Sequence, residues 1–115
     1  MIAVTRQTHT ALAAVATGKA EALAAILDPR AAQLESTGLD KRTAELVRIA
    51  VLIAVDAPPA SYAGAVAHAV QGGATGEDIV GVLRAVAPQV GGPRVVAAAP
   101  EIMLALGLAL PDCAE

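Results

Sequence analysis

The sequence predicts an all-α protein: one domain of about six helices around a central helical hairpin. Three observations lead there. Apolar residues recur at three- and four-residue spacings along most of the chain, and no stretch alternates with the two-residue period of a half-buried strand. Ala, Val, Leu and Ile dominate a hydrophobic fraction of 56%, against 1% aromatic, so the core is aliphatic and its helices approach closely. The breaks between the periodic stretches carry helix caps and helix stops.

The elements follow in order. Thr8 to Leu27 reads as helical through Leu12, Val15, Ala16, Lys19, Leu23, Ile26 and Leu27. Gly18 weakens its middle, which predicts a kink or two shorter helices meeting there. Thr8 or Thr10 is the expected cap. Asp28-Pro29 stops the segment, because a residue before proline resists the α region. Pro29 then opens a short helix, Arg30 to Ser36, ended by Ser36-Thr37-Gly38.

Asp40 is the expected N-cap of the next helix, with Leu39 outside it as a hydrophobic staple. That helix runs to about Val55 and holds the longest apolar run, Ile49 to Val55. Its apolar positions leave it buried nearly all round. Asp56 ends it, and Pro58-Pro59 launch a small-residue helix, Pro59 to Gln71. Gly72-Gly73 stop that one. Thr75 and Asp78 form a capping box for a helix from Gly76 to about Val90, with Pro88 late enough to kink or shorten it. Gly91-Gly92 break the chain, and Pro93 starts a last helix reaching about Leu108.

Composition excludes several functions. A net charge of −3, with no basic cluster and with Tyr62 as the sole aromatic, lacks what nucleic-acid binding requires. No apolar run reaches the roughly 18 residues of a membrane span. The first residues carry Thr5, Arg6, Gln7, Thr8, His9 and Thr10 instead of a signal-peptide core, so a cytoplasmic location is expected. The single Cys113 forms no intrachain disulfide. A chain of 115 residues has a poor volume-to-surface ratio and cannot hide so much apolar surface alone. Oligomerisation through apolar helix faces is therefore expected.

The run TGLDKRTAELVRIAVLIA, followed by AHAVQGGATGEDIVGVLRAVAPQVGGPRVVAAAPEIMLALG, resembles the carboxymuconolactone decarboxylase-like family, which includes alkyl hydroperoxidase D-like proteins. The resemblance covers about Gly38 to Leu108. It implies an all-helical fold and protomers assembled as trimers or hexamers. The redox branch of that family carries a Glu and then Cys-x-x-Cys-x-x-x-His. Two Cys one helical turn apart form and break a disulfide, and a helix N-terminus favours the thiolate. Counted back from Gly73, the Cys positions fall on Pro58 and Ser61 and the His position on Ala65. Counted forward from Glu45, they fall on Ala57, Ala60 and Gly64. Under both counts the thiols and the His are missing, which argues against thiol peroxidase activity. Cys113, alone in the tail, does not replace them.

Few side chains are left for chemistry. Glu45 matches the family's Glu and either faces a pocket or only pairs with Arg48 one turn on. His68 lies three residues beyond Ala65, on nearly the same face, and is the candidate displaced acid or base. The plainer reading is a partly buried His held by a backbone carbonyl or a carboxylate. Tyr62 either supplies a phenol hydroxyl or fills a packed interface. Arg48 and Ser61 are the candidate ligand-binding residues. Arg84 and Arg94 are isolated cations, and His9 is solvated. No metal site and no cofactor are expected.

The functional expectation is a family member without redox cysteines, acting as a non-catalytic binding or scaffold homo-oligomer. The alternative is a cofactor-free acid–base lyase, decarboxylase or isomerase acting on a small lactone or organic acid, with His68, Glu45 and Tyr62 as catalytic residues. The expected partners are further copies of the chain and such a small molecule, not nucleic acid or membrane.

Overall fold

Short polar side chains and glycines set most of the helix ends. A computed structural model describes residues 2–112, and within them no surroundings for the side chains of residues 31, 32 and 34. Cys113, expected to be a spectator, lies outside the described residues. The described residues form seven α-helices and one 3₁₀ turn, with no strand among them. The chain divides into two compact units, Met1–Gly38 and Leu39–Glu115.

The first unit holds α1 (Arg6–Ala16), α2 (Ala20–Leu27), a 3₁₀ turn (Pro29–Ala32) and α3 (Leu34–Thr37). The cap of α1 is Thr5, whose hydroxyl accepts from the Thr8 amide at 3.1 Å. The helix thus starts earlier than Thr8 or Thr10 would place it. Gly18 adopts φ 70°, and α1 and α2 meet at 101°. Two helices, not one kinked helix, therefore occupy this span, because a left-handed residue ends the helical ladder. The expected helix from Arg30 to Ser36 is also split. Gln33 is extended and separates the 3₁₀ turn from the single turn of α3. The Asp28 carboxylate caps the 3₁₀ turn by accepting from the Arg30 amide at 2.9 Å. Neither α1 nor α2 buries a residue. Among the described residues no single helix is long and apolar enough to cross a membrane.

The second unit holds α4 (Lys41–Val55), α5 (Pro59–Gln71), α6 (Gly76–Val90) and α7 (Gly92–Ala105). Asp40 caps α4, its carboxylate accepting from the Thr43 amide at 2.7 Å. Asp56 closes the helix at φ 54°, a left-handed conformation unusual without glycine. Thr75 and Asp78 form the expected reciprocal box. The Thr75 hydroxyl accepts from the Asp78 amide at 3.0 Å, and the Asp78 carboxylate accepts from the Thr75 amide at 2.9 Å. Pro88 sits inside α6 without stopping it before Val90. The last helix ends at Ala105, short of Leu108, and Gly107 follows at φ 79°.

Helix α4 packs on α5, α6 and α7, and α7 also packs on α5 and α6. Ile49, Ile53, Val66 and Ile79 are fully buried where these helices meet, with Tyr62, Ala69, Ala98 and Ile102 around them. A salt bridge of 2.7 Å from Arg42 to Asp78 ties the start of α4 to the start of α6. Gly72 ends α5 so close to α4 that a Cβ there would meet the Lys41 side chain at 2.9 Å. One expectation for α4 fails within this chain. Val47, Val51 and Val55 are 49%, 51% and 62% exposed, so the helix is not buried all round. They recur every four residues and lie about 200° around the helix from Ile49 and Ile53.

Candidate functional site

The hairpin of α4 and α5 forms a groove of about 450 Å³, lined by Glu45, Val47, Arg48, Val51 and Leu52 from α4 and by Ser61, Gly64, Ala65 and His68 from α5. Helical spacing explains the set. Residues 45, 48 and 52 lie three and seven apart, and residues 61, 64, 65 and 68 fall on one face of α5. The opposite α5 set, Tyr62, Val66 and Ala69, turns into the core.

Glu45 is the buried charged side chain of the described core, 6% exposed. Arg48 donates from Nη1 to Glu45 Oε1 at 2.6 Å, and its own side chain is about half exposed. The other oxygen, Glu45 Oε2, is buried with no hydrogen-bond partner among the described residues. A buried polar atom left in that state costs about 1–3 kcal/mol. Such an atom favours any donor that reaches it.

Four of the candidates read from the sequence thus share one groove: Glu45, Arg48, Ser61 and His68. Ser61 and His68 are exposed on its α5 side. The His68 side chain is exposed and makes no hydrogen bond among the described residues, which differs from the partly buried, satisfied His of the plainer reading. Tyr62 is not on the groove. It is 2% exposed, packed in the core cluster. Burial first, then the carboxylates of Asp56 and Glu101, push its phenol pKa up. Of the groove's apolar walls, Val47, Val51 and Leu52, the first two read from sequence as widening a buried helix face, not as lining a groove. The available signal was their spacing from Glu45 and Arg48 on one helix.

The groove also bears on the two possible registers of the absent Cys pair. Ser61 and Ala65, reached by counting back from Gly73, both line it beside Glu45. Gly64 of the forward count lines it too, whereas Ala60 lies on a different pocket with Pro59, Ala63 and Glu101. Of the isolated cations, Arg84 lines a second groove, of about 480 Å³, with Glu77, Val80, Leu106 and Leu108. Arg94 and His9 are exposed. Among the described residues no three His, Cys, Asp or Glu side chains gather as metal ligands would.

Comparison with curated proteins and with solved structures found no match. A family model does match: that of the carboxymuconolactone decarboxylase family, over residues 20–102. The match starts in α2, earlier than the resemblance at Gly38, and stops within α7. It spans most of the chain and the whole α4–α5 groove, and the chain belongs to the carboxymuconolactone decarboxylase family.

Proposed function

We propose that this family member binds a small organic acid or lactone in the α4–α5 groove, as a homo-oligomer without thiol peroxidase activity. The observation that carries the reading is Glu45: a carboxylate on the groove, held by Arg48 through one oxygen, with the other buried and without a hydrogen-bond partner among the described residues. The Glu45 carboxylate, with capacity to accept a further hydrogen bond, suits a hydroxyl or acid proton brought by a ligand. The half-exposed Arg48 guanidinium suits a carboxylate or lactone carbonyl. The walls of Val47, Val51 and Leu52 suit a small hydrocarbon body. Thiol redox chemistry has no support at the groove, where neither count puts a Cys or His at the family's positions: Ser61 and Ala65 stand there by one count and Gly64 by the other.

A second reading keeps catalysis. His68 shares the groove with Glu45, so a bound lactone or acid lies between two groups able to hold or move a proton. In this reading His68 transfers the proton in a lyase or isomerase step, and Glu45 and Arg48 orient the substrate.

One experiment separates the two. Lactones and small aromatic acids, γ-butyrolactone and 4-hydroxybenzoate among them, are titrated by calorimetry into the protein and into Glu45→Ala and His68→Ala, with product formation followed in parallel. Binding abolished by Glu45→Ala, kept by His68→Ala and free of turnover supports the binding protein. Turnover abolished by His68→Ala supports the enzyme. Affinities indifferent to both substitutions would put the ligand elsewhere.

A further inference from the structure

The groove that holds Arg84 opens between α6 and the chain that follows α7, and it is lined by Gly76, Glu77, Val80, Arg84, Leu106 and Leu108. Its α6 wall is a single stripe. Glu77, Val80 and Arg84 are spaced by three and four residues, so they share one helix face. Glu77 and Arg84 are offset by about 10.5 Å along the axis. The positions where either would find an intrahelical partner carry no charge: Val80 and Gly81 lie between them, and Ala87 and Pro88 lie beyond Arg84. Both side chains are exposed, and neither enters an ion pair or a side-chain hydrogen bond among the described residues. The acidic neighbour Asp78 is already held by Arg42 and the Thr75 amide. The facing wall is built by the end of α7. With Gly107 at φ 79°, its amide donates to the Leu104 carbonyl at 3.0 Å, and the Leu108 amide donates to the Met103 carbonyl at 2.9 Å. This pairing closes the helix on its own last carbonyls and leaves Leu106 and Leu108 on the groove, either side of the glycine. Leu106 reaches across to the start of α6, where its Cδ1 would lie 4.0 Å from a Cβ at Gly76.

We propose that this second groove binds a small zwitterion, a short apolar peptide with free ends, its ammonium at Glu77 and its carboxylate at Arg84. Charge complementarity selects that class. A simple anion drawn to Arg84 meets Glu77, and a simple cation drawn to Glu77 meets Arg84. A ligand with opposite charges at its two ends satisfies both, and a guanidinium suits the carboxylate end through paired N–H donors. Length agrees: three extended residues span about 10–11 Å, close to the offset of the two side chains along α6. Val80, Leu106 and Leu108 then face the apolar middle of the peptide. The volume of about 480 Å³ falls within the range of small-ligand sites, roughly 300–1,000 Å³. The two grooves share no lining residue, so the peptide does not compete with an acid or lactone held between α4 and α5.

The probe is the tripeptide Ala-Leu-Ala, titrated by calorimetry at low ionic strength into the full chain beside its N-acetylated and C-amidated forms. The free peptide is expected to bind, and each blocked form to bind on the order of fivefold more weakly, as befits one exposed ion pair lost. The substitutions should sort the two ends. In Glu77→Gln the free peptide is expected to weaken on the order of fivefold, with no further loss on acetylation and an undiminished loss on amidation. In Arg84→Gln the pattern is reversed. A general disturbance of the fold would weaken all three peptides alike. Circular dichroism checks that each variant keeps its helices, and Glu77→Ala or Arg84→Ala takes the place of one that does not. No heat from the free peptide up to about 10 mM overturns the proposal. So do blocked forms that bind as tightly as the free one, or affinities that ignore both substitutions. Valerate or pentylamine bound as tightly as the tripeptide would also overturn it, because a single charge would then suffice.

Discussion

Glu45 and Arg48 are the pair on which the site depends. Arg48→Met removes the 2.6 Å bond to Oε1 of Glu45, a side chain only 6% exposed. The expected loss of stability is about 1–3 kcal/mol, read as a lower urea midpoint at constant slope. An unchanged midpoint would mean that Glu45 is better solvated than its burial implies. In the core the contrast is sharper. Ile53→Ala empties a fully buried site and is expected to cost about 2–5 kcal/mol, whereas Val55→Ala, two residues on and 62% exposed, is expected to stay within about 0.5 kcal/mol in the dissociated chain. The identities of Glu45, Arg48, Ser61 and His68 were legible because few reactive side chains exist in this sequence. The core position of Tyr62 was not, since nothing local distinguishes position 62 from 61 until α5 is docked.

At the scale of elements, the caps carry the predictions. Thr75→Ala removes half of the reciprocal box at the start of α6 and is expected to cost about 1 kcal/mol. Its partner Asp78 adds a pH dependence. The Thr75 amide and then the Arg42 guanidinium hold its carboxyl below the usual range. The amide of Thr43 does the same for Asp40. A carboxyl lowered on folding stabilises the protein above its unfolded pKa, and this contribution fades as pH falls through the folded value. The melting temperature is therefore expected to drop below about pH 4, and less steeply in Asp78→Asn, which starts from a lower plateau. A parent and variant that run parallel down to pH 2 would remove Asp78 from the acid transition. These caps were visible in the sequence because a cap is a short-range object: one oxygen and amides two or three residues away. The N-terminal cap was displaced to Thr5 for the same reason, as three threonines compete within six residues and only the helix start decides among them.

For the whole molecule, the prediction concerns concentration. A chain that leaves as many large apolar side chains exposed in residues 39–112 as it has apolar residues in its core is expected to self-associate, and its denaturation midpoint is then expected to rise with protein concentration. Midpoints identical over a hundredfold range of concentration would argue against an obligate assembly.

What the sequence alone determined is the helical class, the α4–α5 hairpin with its break at Asp56 to Pro59, the capping box at Thr75 and the family. All of these follow from periodicity, from local end-of-helix chemistry or from a long ordered motif, none of which needs distant residues to meet. Only the tertiary structure decided that Glu45 and His68 share a groove while Tyr62 turns away from it, that one carboxylate oxygen is buried without a partner among the described residues, and that one row of valines on α4 stays open. Those facts depend on how α4 and α5 are rotated against each other and against α6 and α7, and that rotation is fixed by packing around Ile49, Ile53, Val66 and Ile79, not by any side chain's own preference.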